Sequence, residues 1–258
     1  MVTSFWSASG GLGVMLGPML IGLWVQRRGL EATPWAMVIG LPLALPIMFG
    51  VRDRARLPVH EASTDAVVPT RPGAFALLTA QTILRSLTIS AFLTYISFYC
   101  QSEDVGMSPA QAGVMTGIFS IMGASGALLG GLLSDHVPRK PIMALTVLAA
   151  PAALLVFVLW PSVQTAAALG VGGMLVWAGH TVTIVLGQEY MPRNTSAASG
   201  VIIGGAWGVG TLTMPFWGKI ADLYGYRTTL IAVLLTAPVL AGVLALLQPH
   251  TDRPTAAE

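Results

Sequence analysis

The sequence predicts an all-α membrane protein with eight transmembrane helices, and its composition and apolar runs support this prediction. Hydrophobic residues make up 54% of the 258 residues and charged residues only 9%, whereas soluble proteins carry roughly 25% charged residues. The apolar residues are concentrated in runs close to the ~18 to 25 residues that a bilayer-spanning helix needs. A protein that crosses the membrane several times is therefore the class that fits this composition.

Breaker residues between the apolar runs define the eight predicted spans. They cover residues 4–25, 34–50, 73–101, 109–134, 141–160, 164–190, 196–219 and 228–247. Most connections are short turns, but the connection over residues 51–72 is longer and carries arginines and carboxylates. Its composition predicts a solvated linker between two helical bundles.

The distribution of arginine and lysine predicts the orientation in the membrane. If the linker lies in the cytoplasm, eight cationic residues lie inside and four outside, as the positive-inside rule favours. Arg27 and Arg28 would then lie outside, which argues against this orientation. We expect a multi-pass protein of the plasma (inner) membrane with both termini in the cytoplasm.

Two parts of the chain show the same glycine spacing. Gly22 and Gly29 are seven residues apart, as are Gly218 and Gly225, and each pair follows a proline at the end of a glycine-rich span. This predicts a parallel repeat in which the first two spans correspond to the last two, a known plan of transporters. The alternative is a chance similarity between glycine-rich helices.

A charged signature occurs twice at the end of a span, where a glycine is followed four residues later by an aspartate and then by a basic residue. The residues are Gly131, Asp135, Arg139 and Lys140 in one copy, and Gly218, Asp222 and Arg227 in the other. A charge placed there is costly enough to indicate a role. One interpretation is a gating latch of Asp135 with Arg139 and Lys140; the alternative is a charge that only marks the membrane boundary.

The signature, the linker followed by six spans, and the repeat together resemble the major facilitator superfamily of transporters. Its loop pattern, Gly-x-Leu-x-Asp-x-x-Gly-x-basic, is matched by Gly131, Leu133, Asp135, Arg139 and Lys140, with Pro138 in place of the second glycine. The resemblance implies a partial major facilitator fold, helices five to twelve of twelve, without the first four. It also implies a division of the chain. Residues 1–50 would be the last two helices of the N-terminal bundle, 51–72 the cytoplasmic linker, 73–248 the complete six-helix C-terminal bundle and 249–258 a cytoplasmic tail.

Within this superfamily, a short motif is similar to the fosmidomycin-resistance branch of drug exporters. The motif is Gly-Gln-Glu-Tyr-Met-Pro at residues 187–192, followed by Ala-Ser-Gly at 198–200, and the Arg85-Ser86 pair fits the same branch. The resemblance implies alternating-access export of a small drug-like or anionic compound, with protons as the antiported ion. A glycine-proline motif at residues 13–22 departs from the antiporter pattern after its proline, which weakens the antiport inference.

Arg85 lies near the middle of a predicted span, where a charge costs at least about 2.5 kcal/mol. Polar and aromatic residues at helical spacing share its face, as in a helix that lines a wet cavity. The predicted substrate-binding residues are Arg85, Gln81, Thr88, Tyr95, Tyr99 and Trp177. Arg85 would hold an anionic group of the substrate through its guanidinium fork. The alternative pairs Arg85 with a carboxylate on a helix that the sequence does not identify.

Glu189 ends the sixth span and completes the predicted gating residues with Asp135, Arg139 and Lys140. It could carry protons, or pair with Arg139 or another cytoplasmic cation as part of a gate, which we favour. His180 lies deeper on the same helix, and a lone histidine among apolar residues is more often a packing residue than a switch.

Other classes of function find no support in the sequence. Motifs of known catalytic sites, clusters of metal ligands and a basic stripe for nucleic acid are all missing from it. We therefore expect no enzyme, cofactor or metal, and as partners a small-molecule substrate, protons and the lipid bilayer. The rival hypothesis is a truncated fragment that does not transport and only associates with a partner bundle.

Overall fold

The structure is a computed structural model that describes residues 20–29, 31 and 70–249, and the regular structure within them is helical. The helices are α1 (residues 20–28), α2 (Pro72–Gln101), α3 (Pro109–Leu133), α4 (Arg139–Leu159), α5 (Ala166–Tyr190), α6 (Thr195–Gly200), α7 (Ala206–Leu212), α8 (Met214–Tyr224) and α9 (Tyr226–Leu246). Within the described residues, six helical stretches are long and apolar enough to cross a membrane. The all-α membrane fold is confirmed.

The last six predicted spans agree with these stretches to within a few residues at most ends. The first span beyond residues 20–25, the second span, most of the linker and the C-terminal tail lie outside the described residues. The division of the chain into bundles therefore stays a prediction.

The seventh predicted span differs from the expected single helix. Residues 192–224 form one membrane-length stretch made of α6, a π-helical turn at Val201–Gly205, α7 and α8. Glycines favour helix poorly, and Pro215 lacks the amide hydrogen that a continuous helix would use. This stretch is also the least buried, since 28% of its apolar 18-residue segment is buried against 50–61% in the others.

The first turn of α3 shows how local sequence fixes a helix start. Ser108 accepts a hydrogen bond from the Gln111 amide, and the Gln111 side chain accepts one from the Ser108 amide, at 3.3 and 2.9 Å. Pro109 occupies the first helical position, where its missing N–H costs nothing. This capping box places the start of α3 beside α1, where a Cβ atom on Gly22 would lie 3.3 Å from the Pro109 carbonyl oxygen.

Helix α2 lies at the centre of the bundle and packs against α3, α5, α7, α8 and α9. Its buried residues join the main hydrophobic core through Phe92, which stacks on Phe119 of α3 with a centroid separation of 5.5 Å. A second cluster around Leu78, Met143 and Tyr190 closes the end of the bundle nearest the linker. We call this the linker end.

The most extensive helix pair, α3 with α5, is packed through glycine. A Cβ atom on Gly126 or Gly130 would overlap the carbonyl oxygens of Met174 and Ala178 on α5. Small residues thus let these two helices approach closely, as they do between membrane helices generally. By contrast, a Cβ atom built on Gly200, Gly204 or Gly208 meets no described atom within 4 Å.

In both glycine pairs of the predicted repeat, the second glycine adopts a positive φ, in addition to the shared spacing. Gly29 (φ 77°) and Gly225 (φ 82°) both adopt positive φ. Their amides bond the carbonyls of Val25 and Ala221, four residues earlier, at 2.9 and 2.8 Å. Each pair therefore ends its helix with a left-handed glycine, a conformation that other residues adopt at a cost.

Substitution of Gly130 by alanine should destabilise the bundle. The added methyl group meets the backbone of α5 rather than a flexible side chain, and overpacking of this kind costs about 1–3 kcal/mol. The check is the unfolding free energy of the purified protein in detergent. Gly208→Ala is the matched control, and equal stability of the two variants would contradict the packing assignment.

Candidate functional site

Arg85 lies near the middle of α2 and is 1% exposed. Its Nη2 atom donates a hydrogen bond to Oγ1 of Thr183 on α5 at 3.0 Å. The Thr183 hydroxyl in turn donates to the carbonyl oxygen of His180 at 2.8 Å. The guanidinium is therefore held inside the protein by a neutral hydroxyl whose own hydrogen is already used.

Gly179 of α5 has no side chain, and this leaves the space for the guanidinium. A Cβ atom on Gly179 would lie 2.8 Å from Nη1 of Arg85, closer than atoms of this kind pack. Gly179 and Thr183 are one helical turn apart, so they present a gap and a hydrogen-bond acceptor on the same face of α5. Together they fix where the guanidinium lies.

The charge of Arg85 has no acidic counterpart among the described residues. The one ion pair found there joins Arg139 and Glu189, and Nε and Nη1 of Arg85 have no hydrogen-bond partner in the same part of the chain. Unpaired buried donors cost about 1–3 kcal/mol each. A ligand that supplies two acceptor oxygens and a negative charge would relieve this cost.

Three aromatic rings lie at mid-membrane depth beside this group. Trp177 and His180 of α5 and Trp207 of α7 have centroid separations of 5.5, 5.2 and 5.7 Å for the pairs Trp177–His180, Trp177–Trp207 and His180–Trp207. Both indole nitrogens and Nδ1 of His180 lack partners among the described residues. We call these three residues the aromatic trio.

Two further predicted residues of α2 behave differently from each other. Gln81, one turn before Arg85, is buried, and both of its amide atoms lack partners within the described region. Thr88 is also buried, but its hydroxyl bonds the Leu84 carbonyl of its own helix at 3.2 Å. Gln81 thus extends the column of unpaired polar groups, whereas Thr88 is satisfied within α2.

Tyr95 and Tyr99 are not brought to Arg85. The Tyr95 hydroxyl donates to the Met214 carbonyl, and that of Tyr99 donates to the Val158 carbonyl at 2.6 Å. Both rings are almost fully buried. Because they sit three and four turns from Arg85 with their hydroxyls bonded to backbone, the geometry favours packing for both residues.

The predicted gating residues lie at the linker end, where Arg139 pairs with Glu189. Arg139 begins α4 and Glu189 lies in the last turn of α5, so each charge opposes the dipole of its own helix. Pairing of the two charges offsets both unfavourable dipole interactions. The sequence interpretation favoured this ion-pair role for Glu189. Asp135 is exposed and Lys140 half-buried, and neither forms an ion pair with a described residue.

Consecutive residues of the 187–192 motif contact different parts of the bundle. Gln188 donates to the Ser199 hydroxyl at 2.8 Å, Glu189 accepts from Arg139, and the Tyr190 hydroxyl donates to Oε1 of Gln248 at 3.3 Å. The Tyr190 carbonyl also accepts from the Arg71 amide at 2.9 Å. This motif therefore ties the end of α5 to the starts of α2 and α4, to α6, and to the residues that follow α9.

Sequence reasoning missed Gly179, Thr183 and Trp207. Gly179 and Thr183 flank His180 within an apolar run, and their role appears only once α2 and α5 are docked. Trp207 offered a signal, a tryptophan inside the glycine-rich stretch at 204–210 near the middle of its span. A bulky ring among glycines is typical of a residue that faces a partner.

Comparison with known proteins gives a consistent match. A family model described as the Major Facilitator Superfamily matches residues 1–212. The chain is 24% identical over 264 residues to the uncharacterized MFS-type transporter YfnC of Bacillus subtilis (strain 168), a match that covers 97% of this chain and 63% of that protein. It is 24% identical over 232 residues to the fosmidomycin resistance protein of Escherichia coli (strain K12), with 85% and 55% covered. The chain thus spans between 55% and 63% of the length of these relatives. No solved structure matches it.

A double-mutant cycle on Arg139→Gln and Glu189→Gln should give a coupling energy of about 0.5–1 kcal/mol in the unfolding free energy. That range suits a pair whose side chains are 26% and 41% exposed. Unfolding of the purified protein in mixed detergent measures it. The cycle on Asp135→Asn and Lys140→Gln is the control, for which we expect no coupling. Coupling between Asp135 and Lys140, with none between Arg139 and Glu189, would favour the gating latch centred on Asp135.

Proposed function

The chain belongs to the Major Facilitator Superfamily, and we propose that it is a secondary active transporter working by alternating access rather than an enzyme. The observation that carries this proposal is the guanidinium of Arg85, buried at mid-membrane depth with two donor nitrogens unpaired among the described residues. A charge in that position has an energetic cost, so its presence indicates a function. Arg85 holds the anionic group of a small compound, because its planar fork matches a carboxylate or phosphonate.

The binding site contains residues from both helices that meet at Arg85. Gln81 supplies a further amide one turn away, and Trp177 supplies an apolar wall. Tyr95, Tyr99 and Thr88 support the site through the packing of α2 rather than through contact with substrate. Binding near the middle of the membrane, between packed helices, suits a site that opens alternately to each side.

Export of a drug-like compound and antiport with protons are finer proposals. Export is supported by the match to a protein named for fosmidomycin resistance, at 24% identity. Proton coupling rests on the family resemblance alone, because the described spans carry no carboxylate at mid-membrane depth. The rival hypothesis of a non-transporting fragment is not favoured by these matches.

The arrangement in the membrane completes the proposal. Residues 73–248 form the C-terminal bundle of a plasma-membrane transporter, residues 1–50 supply the last two helices of the other bundle, and both termini lie in the cytoplasm. Arg71, Arg139 and Arg193 all lie at or beside the linker end, which supports a cytoplasmic linker end. The Arg139–Glu189 pair then acts within the cytoplasmic gate.

Arg85→Ala in the full-length protein should abolish transport of anions while leaving membrane insertion intact. Loss of charge-assisted hydrogen bonds costs roughly 1.5–3 kcal/mol, or about ten- to hundredfold in affinity. The measurement is flux of fosmidomycin and of small phosphonates and carboxylates in proteoliposomes. Arg85→Lys should recover part of the activity, and Arg193→Ala, which removes an exposed arginine, is the matched control. Unchanged flux in Arg85→Ala would remove Arg85 from the site.

Gly179→Ala should impair anion binding although it leaves Arg85 in place. The added methyl group would lie 2.8 Å from Nη1 of Arg85 and displace the guanidinium from Thr183. We expect affinity for the same anions to fall about fivefold or more. Gly200→Ala is the control, because no described atom lies within 4 Å of its built Cβ. Equal affinities of the two variants would show that Gly179 does not position the guanidinium.

A further inference from the structure

The aromatic trio is placed to serve the same ligand as Arg85. Its members come from α5 and from the stretch over residues 192–224, and all lie near the middle of those two stretches. Each ring is half-buried, so part of its surface is not covered by the described chain. Aromatic side chains commonly line small-molecule sites, and these rings leave part of their surface available to a ligand.

Close packing restrains the ring of Trp177 and the backbone beside Trp207. A Cβ atom on Gly123 of α3 would lie 2.6 Å from Cδ1 of Trp177. On the other side, the Ser86 hydroxyl donates to the carbonyl of Ala206 at 3.1 Å, and a Cβ on Gly210 would lie 2.9 Å from the Leu87 amide nitrogen. The Trp177 ring and the backbone that carries Trp207 are therefore held in place by packing, which lowers the entropy cost of binding.

The trio and the guanidinium are joined through a single turn of α5. Gly179 lies against Nη1 of Arg85, His180 follows it in the trio, and Thr183 bonds both Arg85 and the His180 carbonyl. A compound that reaches Arg85 thus lies within one helical turn of the rings. The ring nitrogens and two guanidinium nitrogens are shielded from solvent in this conformation, so a ligand reaches them when the helices part, as alternating access requires.

We propose that the transported compound carries a flat ring as well as an anionic group, and that the ring stacks on Trp177, His180 and Trp207 while Arg85 holds the anion. This inference rests on the proposed function and adds to it a preference for aromatic or heteroaromatic anions over aliphatic ones. The unpartnered indole N–H groups further favour rings that carry an acceptor atom at their edge. An aliphatic anion of the same size satisfies Arg85 but leaves the rings without a stacking partner.

Matched probes separate the ring from the charge. Benzoate and cyclohexanecarboxylate differ in aromaticity, and so do phenylphosphonate and cyclohexylphosphonate, whereas benzyl alcohol has a ring without the charge. Calorimetric titration of the purified full-length protein should give a three- to tenfold lower Kd for each aromatic anion than for its saturated partner, about the gain of one stacked pair. Benzyl alcohol should bind much more weakly than either anion.

Variants at Trp207 locate this preference. Trp207→Leu should bring the aromatic and saturated anions to equal Kd while both still bind, and Trp207→Phe should keep the preference. Trp160→Leu, at a tryptophan that is 65% exposed outside the trio, is the control. A preference that survives in Trp207→Leu overturns the stacking site. If Trp207→Leu does not fold, a preference lost in the folded Trp207→Phe variant, or missing from the unaltered protein, overturns it instead.

The outcomes also separate this inference from the proposed function. Equal Kd values for aromatic and saturated anions in the unaltered protein overturn the ring preference. If neither kind of anion then binds to the Arg85→Ala variant, the anion site still stands. Failure of the unaltered protein to bind any of the four anions overturns the anion site and the ring preference together.

Discussion

The buried guanidinium of Arg85 is the constraint on which the centre of this bundle depends. A charge in an apolar interior is tolerated only where hydrogen bonds and space are supplied to it, and α5 supplies both through Thr183 and Gly179. A larger residue at position 179 would fill the space, and a residue without an oxygen at 183 would leave the guanidinium without its one described acceptor. The contact between α2 and α5 thus contains a buried hydrogen bond from an arginine beside the apolar contacts of Leu78.

Small residues let the neighbouring helices bring the rest of the site to this contact. Gly126 and Gly130 allow the backbones of α3 and α5 to touch, and Gly210 allows α7 to approach α2. In a membrane, close backbone approach replaces the hydrophobic effect as the force that holds helices together. The same approach brings Trp177 and Trp207 into one cluster. The helix packing and the geometry of the proposed site thus depend on the same glycines.

The sequence predicted the membrane fold and most span boundaries, since long apolar runs interrupted by proline and charge leave few alternatives. It singled out Arg85 for a related reason, because a charge inside a span is costly unless it has a partner or a role. It could not distinguish Gln81, which is unpaired among the described residues, from Tyr95 and Tyr99, which bond backbone carbonyls. All three share one helical face, and their environments differ only after distant helices dock. The break in the seventh span was hidden for a related reason, because glycine permits several helical conformations and the contacts decide among them.

The two ends of the bundle are held by different kinds of contact, which bears on how a transporter of this design would open. At the linker end, polar and partly exposed contacts such as Arg139–Glu189 and Gln188–Ser199 lie beside the second hydrophobic cluster. At the opposite end, Tyr95 and Tyr99 are 6% and 1% exposed, and their hydroxyls donate to backbone carbonyls. Partly exposed polar pairs contribute about 0–1 kcal/mol each and exchange readily with water. Buried aromatic packing has no such substitute. If the protein works by alternating access, the contacts of Gln188 and Glu189 at the linker end are therefore the ones that exchange most readily.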